Sequence, residues 1–147
     1  MADTKYVVNV EGAIVRGNKY LMIVRGRGEA HAGGTLSFVG GKVDTTQNFD
    51  HILEETLRRE IMEEVGVQVS EMAYVQSSHF IADDDDLVVD IIFLCKYDTG
   101  EAQIVDVEEV EKILWLSSSE VMNHALCPPW TKSGMQRVEL LRQQLNW

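Results

Sequence analysis

Apolar and polar residues alternate along residues 6–15 and again along residues 20–24. This period of two is typical of β-strands that bury one face, and the turn residues between the two segments predict a hairpin. Residues 87–97 form the longest apolar run and are predicted to be a central strand that is buried on both faces. Shorter apolar segments predict strands at residues 36–39, 67–69, 73–81 and 113–116, with a strand or an extended loop at 101–107.

Helical spacing replaces this alternation after residue 48. Apolar residues recur there at the intervals of an amphipathic helix, at Ile52, Leu53, Leu57, Ile61 and Val65. Asn48 is the predicted N-cap, and Gly66 is the glycine predicted to end the helix. The sequence therefore predicts one long helix in the middle of the chain.

Two capping boxes predict two further helices. The Ser-Ser-Ser-Glu sequence at 117–120 predicts a short helix that ends near residue 124, and Ser-Gly-Met-Gln at 133–136 predicts the start of a C-terminal helix. Residues 127–130 are predicted to be a rigid loop before that helix, and its inner stripe is predicted at Val138, Leu141 and Leu145. With 147 residues and no internal repeat or linker, the chain is predicted to be one α/β domain over residues 1–147.

Three carboxylates lie on one side of the central helix. At about 100° per residue, Glu60, Glu63 and Glu64 fall within one arc of roughly 100°, and this arc continues the apolar line through Leu57 and Leu53. The glutamates are therefore expected at the inner rim of the fold, where their repulsion would raise their pKa values. A divalent cation with hard oxygen ligands, Mg²⁺ or Mn²⁺, would relieve that repulsion. A solvated helix face is the alternative.

Paired glycines and two arginines add candidate contacts, each with a plainer alternative. Gly40 and Gly41 follow a predicted strand, which suggests either a close approach of the backbone to another group or an ordinary turn. Arg25 and Arg27 follow the opening hairpin, where they would contact phosphate or simply face solvent. The acidic run at residues 83–86 lacks the spacing of a calcium loop and is predicted to be a solvated hairpin tip.

The composition excludes several classes of protein. A formal net charge of −11 with no basic block argues against coating of nucleic acid or attachment to a membrane surface. Cys95 and Cys127 have no zinc-site spacing. The N-terminal residues lack the apolar region of a signal peptide, and the longest apolar runs are too short to cross a bilayer, so a cytoplasmic protein is expected. An acidic protein can still bind an anionic substrate through a metal.

The sequence REIMEEVGV at residues 59–67, after the paired glycines, resembles the box of the Nudix hydrolases. Every fixed position of the second half of that box is matched. The first half differs, because the segment from Gly41 to Arg59 is four residues longer than the pattern and His51 occupies the position of its first glutamate. Candidates to replace that glutamate are Asp50, Glu54 and Glu55.

The resemblance implies an α/β/α sandwich with a mixed sheet and hydrolysis of a nucleoside diphosphate linked to another moiety. It implies that Glu60, Glu63 and Glu64 bind Mg²⁺, or Mn²⁺, with the Gly41 carbonyl as a further ligand. The predicted catalytic residues are Glu64 as general base, Glu63 and Arg59; Glu108 and Glu109 are other candidates for the base. Predicted substrate contacts are Arg25, Arg27, His79, Phe80 and Glu109, with Trp115 as another aromatic candidate.

Two other functions stay open at this stage. A Nudix fold with weak catalysis could bind or sense a nucleotide, and an acidic surface could serve an interaction protein without a metal. The expected partner is a small-molecule nucleotide, and homodimers are common in the resembling family.

Overall fold

The computed structural model describes residues 3–29, 31–47 and 50–147, which form one mixed sheet with helices against both faces. Its strands are β1 (Val7–Arg16), β2 (Lys19–Arg25), β3 (Leu36–Ser37), β4 (Val39–Lys42), β5 (Gln68–Ile81), β6 (Leu87–Thr99) and β7 (Val110–Ser117). Its helices are α1 (Ile52–Val65), α2 (Ser118–Met122) and α3 (Pro129–Leu145). The predicted α/β sandwich with a mixed sheet is confirmed.

The strand order is β3-β2-β1-β6-β5, with β4 paired to β1 and β7 paired to β2. Strands β1 and β6 run parallel, and the other pairs are antiparallel. The predicted hairpin is confirmed, because Arg16 and Lys19 are opposite each other at the β1–β2 turn. The predicted central strand is also confirmed, because β6 lies between β1 and β5 and buries residues on both faces.

The pleat of β1 distributes its side chains between two cores. Val10 and Ile14 pack on one face against Leu57 and Ile61 of α1. Ala13 and Val15 point to the opposite face, where the core includes residues of α2 and α3. This alternation is the period of two predicted from the sequence, and it gives the sheet an α1 face and an α3 face.

The C-terminus of α1 lies where the sequence predicts it. Gly66 has a φ of 71°, and its N–H donates to the carbonyl of Met62, as is typical of a glycine that ends a helix. The predicted N-cap, Asn48, lies outside the described residues. The helix begins at Ile52 after His51, which has a left-handed backbone and makes no side-chain cap.

Three of the local predictions require correction. Residues 67–69 and 73–81 belong largely to one strand, β5, because register shifts interrupt its side-chain alternation without ending its pairing to β6. Residues 101–107 form a loop, which is one of the two alternatives predicted for them. The second capping box is wrong, because α3 begins at Pro129, whose fixed φ and missing N–H suit the first turn of a helix. Residues 129–130, predicted as loop, are therefore helical, and residues 133–136 lie inside α3.

Most of the other local predictions hold. The first capping box is confirmed, with Ser117 accepting a hydrogen bond from the Glu120 N–H at 3.2 Å and Glu120 accepting one from the Ser117 N–H at 3.0 Å. Residues 83–86 form the tip of the β5–β6 hairpin. In the predicted inner stripe of α3, Val138 is buried and Leu141 is half-buried, but the prediction is wrong for Leu145, which is exposed. Among the described residues, no helix has the length and apolarity required to cross a membrane.

Candidate metal and diphosphate site

Three glutamate side chains meet where the end of α1 approaches the start of β7. Glu60 and Glu64 are about one turn apart on α1, and Glu109 directly precedes β7. One carboxylate oxygen from each residue lies within 4.8 Å of those of the other two. Glu64 is 3% exposed and the Glu60 side chain 13%, whereas Glu109 is exposed. The three carboxylates therefore form a cluster that is buried on the helix side and open to solvent on the loop side.

The loop that carries Glu109 is fixed by backbone hydrogen bonds. The N–H groups of Gln103 and Val105 donate to the carbonyls of Val65 and Glu64 at 3.1 and 3.0 Å. These carbonyls belong to the last turn of α1, where no N–H of the helix is available to donate to them. The Gly26 N–H also donates to the Glu109 carbonyl at 2.9 Å. Satisfying the end of α1 thus places Glu109 next to the helix glutamates.

Strand β4 passes directly over the Glu60 carboxylate. A Cβ added at Gly41 would lie 2.6 Å from Glu60 Oε2 and 2.7 Å from Oε1, which is closer than non-bonded atoms of these types approach. Of the two interpretations of the paired glycines, the structure supports a close backbone approach. Gly41 must lack a side chain for Glu60 to occupy this position.

The surroundings of the cluster disfavour its negative charge. Burial raises the pKa of Glu60 to about 7. The charge of Arg59 lowers this pKa, and the charges of Glu63, Glu109 and Asp44 raise it. Burial also raises the pKa of Glu64 to about 9; the charges of Glu109 and Glu60 add to this increase, and that of Arg25 opposes it. Without a cation, Glu60 and Glu64 therefore keep their protons in the folded protein at pH values well above 4.5, where an ordinary glutamate is ionised.

This donor set fits a small divalent cation. It consists of carboxylate oxygens, which are the ligands preferred by Mg²⁺ and Mn²⁺, and one side of it faces solvent, where water and substrate can complete the coordination. A cation would also remove the repulsion that raises the two pKa values.

A profile of the NUDIX domain family matches residues 5–137. The chain belongs to the NUDIX family. This match confirms the resemblance seen at residues 59–67, and with it the enzyme class of the Nudix pyrophosphohydrolases.

Solved Nudix structures share the fold over nearly the whole chain. The MutT NUDIX hydrolase from Burkholderia pseudomallei is 24% identical, with a TM-score of 0.76 over 91% of this chain and 98% of that chain. The MutT protein from Methanosarcina mazei Go1 is 19% identical, with a TM-score of 0.79 over 97% and 99% of the two chains. The NUDIX domain of Shewanella oneidensis NrtR, complexed with ADP ribose, is 18% identical, with a TM-score of 0.73 over 97% and 90%.

A curated relative matches a shorter segment. The mitochondrial NAD(P)H pyrophosphatase NUDT13 of Homo sapiens is 36% identical over 69 residues, which is 47% of this chain. The matched segment is 19% of the length of that relative.

Glu63 does not belong to the carboxylate cluster of the described residues. Its side chain is 56% exposed, and a carboxylate oxygen lies 3.6 Å from Nη1 of Arg59. The expectation that all three Nudix-box glutamates line the inner rim is therefore wrong for Glu63. Its role as a ligand or catalytic carboxylate stays a prediction, and Glu109, predicted as a substrate contact or base, occupies the third place in the cluster.

Arg59 connects the Nudix-box helix to the loop before it. Its Nη2 donates to Asp44 Oδ1 at 2.9 Å and lies 3.6 Å from Glu60 Oε1. Asp44 was not among the predicted replacements for the first box glutamate. Two of those replacements have other neighbours within 4.0 Å, since Glu54 lies near His51 and Glu55 near Arg58. Asp44 follows the paired glycines in the sequence, but only the path of β4 shows that it reaches Arg59.

The two predicted arginines have different environments. Arg25 is half-buried, and its Nε donates to the carbonyl of His31 at 3.2 Å. Its positive charge lowers the pKa of Glu64. Arg27 is exposed and forms an ion pair with Glu111 at 3.3 Å. The structure therefore brings Arg25, but not Arg27, into the electrostatic environment of the cluster.

The predicted aromatic contacts lie on different sides of the sheet. His79 and Phe80 are consecutive residues of β5, so their side chains point to opposite faces. Phe80 stacks on His31 with ring centres 5.4 Å apart, whereas His79 is exposed and contacts Tyr6 edge-on at 5.7 Å. Trp115 packs against the core on the α1 face.

Proposed function

We propose that this protein hydrolyses the pyrophosphate linkage of a nucleoside diphosphate joined to another moiety, in a reaction that depends on a divalent cation. The proposal covers nucleoside triphosphates, nucleotide sugars and compounds of the ADP-ribose type. The cluster of Glu60, Glu64 and Glu109 is the observation that carries it, because an acidic site requires a cation before it can accept a diphosphate.

Each residue of the proposed site has a distinct role. Glu60, Glu64 and Glu109 would hold Mg²⁺, or Mn²⁺, with the carbonyl of Gly41 as the predicted further ligand. Such a cation neutralises charge on phosphate oxygens and makes water a better nucleophile at neutral pH.

The chain's own residues then position substrate and accept a proton. Arg25, whose charge lowers the pKa of Glu64, is the first predicted contact with the diphosphate, and Arg27 is a second predicted contact at the solvent side. Glu64 is the proposed general base, since it is the most buried carboxylate of the cluster and a bound cation would oppose the repulsion that keeps it protonated. Glu63 is the other predicted catalytic carboxylate. Arg59 is proposed as a positioning residue, since its ion pair with Asp44 joins the segment after β4 to α1 beside Glu60.

The names of related proteins support this class of reaction. The human relative is a pyrophosphatase that acts on NAD(P)H, and the NrtR domain binds ADP ribose. Both ligands contain a diphosphate that joins a nucleoside to another group. The proposal implies a small-molecule nucleotide as partner. A cytoplasmic location is a separate expectation from the sequence, and a homodimer is one possible assembly because homodimers are common in the resembling family.

Hydrolysis of a nucleotide panel tests the proposal. Purified protein with Mg²⁺ should release phosphate or a nucleoside monophosphate from at least one diphosphate-containing compound, and EDTA should stop the release. Glu64→Gln should lower kcat by about 10²- to 10⁴-fold, the usual contribution of a general base. Glu71→Gln, a change of an exposed carboxylate on β5, is the matched control and should retain activity. Equal activity of Glu64→Gln and wild type would contradict the proposal.

A nucleotide-binding or sensing module is the second candidate. Two observations favour it: His51 replaces the first box glutamate, and the similar NrtR domain is a structure complexed with ADP ribose. Metal-dependent binding of nucleotides without turnover of any panel member would support this candidate over the enzyme.

A further inference from the structure

Strand β5 forms one edge of the sheet and is paired on one side only. It is last in the strand order, next to β6. Near the start of the strand, Arg58 donates to the carbonyls of Val69 and Ser70 at 2.6 and 3.4 Å. Further along, within the described part of the chain, the backbone of residues 72–81 is hydrogen-bonded only to β6. The outward N–H and C=O groups of these residues are therefore available to a further strand.

The second half of β5 has the regular geometry that pairing with a further strand requires. Register shifts interrupt its pairing with β6 as far as Gln76, and from Gln76 to Ile81 six residues pair one to one with residues 92 to 87. Edge strands are commonly protected by bulges, prolines or charged side chains. The bulges protect only the first half of β5, and residues 72–82 contain no Pro, Asp, Glu, Lys or Arg.

The lack of charge at this edge favours a second copy of the chain as the partner. Two copies that each have a formal net charge of −11 repel each other, so their association is favoured where neither presents carboxylates. Residues 72–82 meet that condition. The strand at the other end of the order, β3, has only two residues and offers little backbone for pairing.

Two large apolar side chains are exposed along this edge and lie on the same face of the sheet. Tyr74 is 57% exposed and Ile81 is 62% exposed. Tyr74 is opposite Phe93, which belongs to the core on the α1 face. Ser77 is opposite Ile91, which packs against the same core, and alternation from Ser77 places Ile81 on that face as well. A further strand beside β5 would cover both side chains.

Antiparallel pairing with a second β5 brings these two side chains together. About a twofold axis, each residue faces the residue at the same distance on the other side of the axis. With the axis at Ser78, Gln76 faces the partner's Phe80. The bulge between Tyr74 and Gln76 takes up one residue, so Tyr74 then faces the partner's Ile81. Residues that face each other in this register share a face of the sheet, as antiparallel pairing requires.

We infer that residues 74–81 of β5 form the interface of a homodimer, in which a second copy pairs antiparallel about a twofold axis at Ser78 and extends the sheet. Each side of the axis contributes one pair of Tyr74 and Ile81, an aromatic and a β-branched side chain of the kind that stabilises neighbouring strands. The interface does not rest on the proposed reaction, because Glu109 of the metal cluster precedes β7, which pairs with β2 and not with β5.

Sedimentation equilibrium of the full chain tests the dimer. The wild-type protein should have twice the chain mass of 16.6 kDa at micromolar concentrations. Ser78→Lys would place two ammonium groups on the axis and should raise the dissociation constant of the dimer at least about 10-fold. In the monomer this lysine lies opposite Asp90, so its charge suits the fold.

The matched control is Ser70→Lys, a change of an exposed residue of β5 outside the interface, which should leave the dissociation constant unchanged. Circular dichroism shows that both variants are folded. A wild-type protein that stays monomeric would assign the edge to a strand of a different protein and overturn the inference. A dissociation constant that Ser78→Lys leaves unchanged would also overturn it.

A cysteine on the axis tests the register. Facing residues of antiparallel strands have Cα atoms about 4.5–5.5 Å apart, which a disulfide can span. The native cysteines, Cys95 and Cys127, are both buried. Mild oxidation should therefore convert Ser78→Cys, but not Ser70→Cys, to a covalent dimer on a non-reducing gel. A dimeric Ser78→Cys protein that forms no disulfide would refute the axis at this residue.

Truncation of the apolar pair tests its contribution. Ile81→Ala removes a contact on both sides of the axis and should raise the dissociation constant about 10-fold. Leu140→Ala is the control, since Leu140 is an exposed apolar residue of α3 and not of β5, and it should leave the dimer unchanged. Equal effects of the two changes would contradict the proposed interface. Hydrolysis is not measured in these experiments, so failure of the dimer and failure of the proposed function are distinguished.

Discussion

Glu64 has an environment unlike that of an ordinary glutamate. It lies on a helix of a strongly acidic protein, yet it is buried and next to two further carboxylates. In the absence of a cation, this position lowers the free energy of unfolding at neutral pH. The carboxyl has a pKa near 4.5 in the unfolded chain and near 9 in the folded protein. Such a cost is typical of residues retained for function.

This cost predicts a stabilising substitution. Between pH 4.5 and about 9 the folded protein binds more protons at Glu64 than the unfolded chain does, so this carboxyl lowers stability increasingly as the pH rises through that interval. In EDTA at pH 7, Glu64→Gln should therefore raise the free energy of unfolding by an amount on the order of 2 kcal/mol. Urea unfolding followed by circular dichroism measures it.

The control for this prediction is the exposed neighbour Glu63. Glu63→Gln should leave the free energy of unfolding almost unchanged at pH 7, and the gain of Glu64→Gln should disappear near pH 4. A destabilised Glu64→Gln protein at pH 7 would show that the carboxylate contributes favourably to the fold without metal.

At the scale of elements, the contact of β4 with the end of α1 determines the geometry of the site. Gly41→Ala would place a methyl group against the Glu60 carboxylate, so either the carboxylate or the strand must move. We expect a loss of about 1–3 kcal/mol in stability and about 10- to 100-fold in Mn²⁺ affinity, measured by urea unfolding and titration calorimetry.

Gly28→Ala is the matched control, because a Cβ at Gly28 meets no atom of the described residues within 4 Å. It should unfold at the wild-type urea concentration. Unchanged Mn²⁺ affinity in Gly41→Ala would mean that Glu60 does not need the space left by the glycine to bind the cation.

Local signals in the sequence predict elements well where a single mechanism acts. The Ser117 capping box and the glycine that ends α1 are both contained within a few residues, and both are confirmed. The second capping box fails because Pro129 offers an earlier helix start that the Ser133 pattern does not reveal. The division of β5 fails because bulges imitate a strand boundary in the sequence while the pairing to β6 continues.

At the scale of the whole molecule, the fold joins groups that are far apart in the sequence. The Nudix-box motif identifies Glu60 and Glu64, but the third carboxylate comes from residue 109, 45 positions after Glu64. The partner of Arg59, Asp44, likewise depends on the path of the chain after β4. Helical periodicity gives the face on which a residue lies but does not show what packs against that face. The periodicity therefore could not show that Glu63 is exposed and that Glu109 supplies the third carboxylate.

The formal charge of −11 also acts at this scale. A protein this acidic repels an anionic nucleotide unless cations reduce the local potential. The proposed cation therefore has two roles, since it would allow the substrate to bind and would relieve the repulsion within the fold.

Thermal unfolding with and without Mn²⁺ in two variants, Glu109→Gln and Glu63→Gln, shows which carboxylates hold the cation. At a Mn²⁺ concentration about 100 times its dissociation constant, wild-type protein should gain about 2.7 kcal/mol in stability. We expect Glu63→Gln to keep this gain and Glu109→Gln to lose most of it. A gain that is kept in Glu109→Gln and lost in Glu63→Gln would contradict the cluster of Glu60, Glu64 and Glu109 as the cation site.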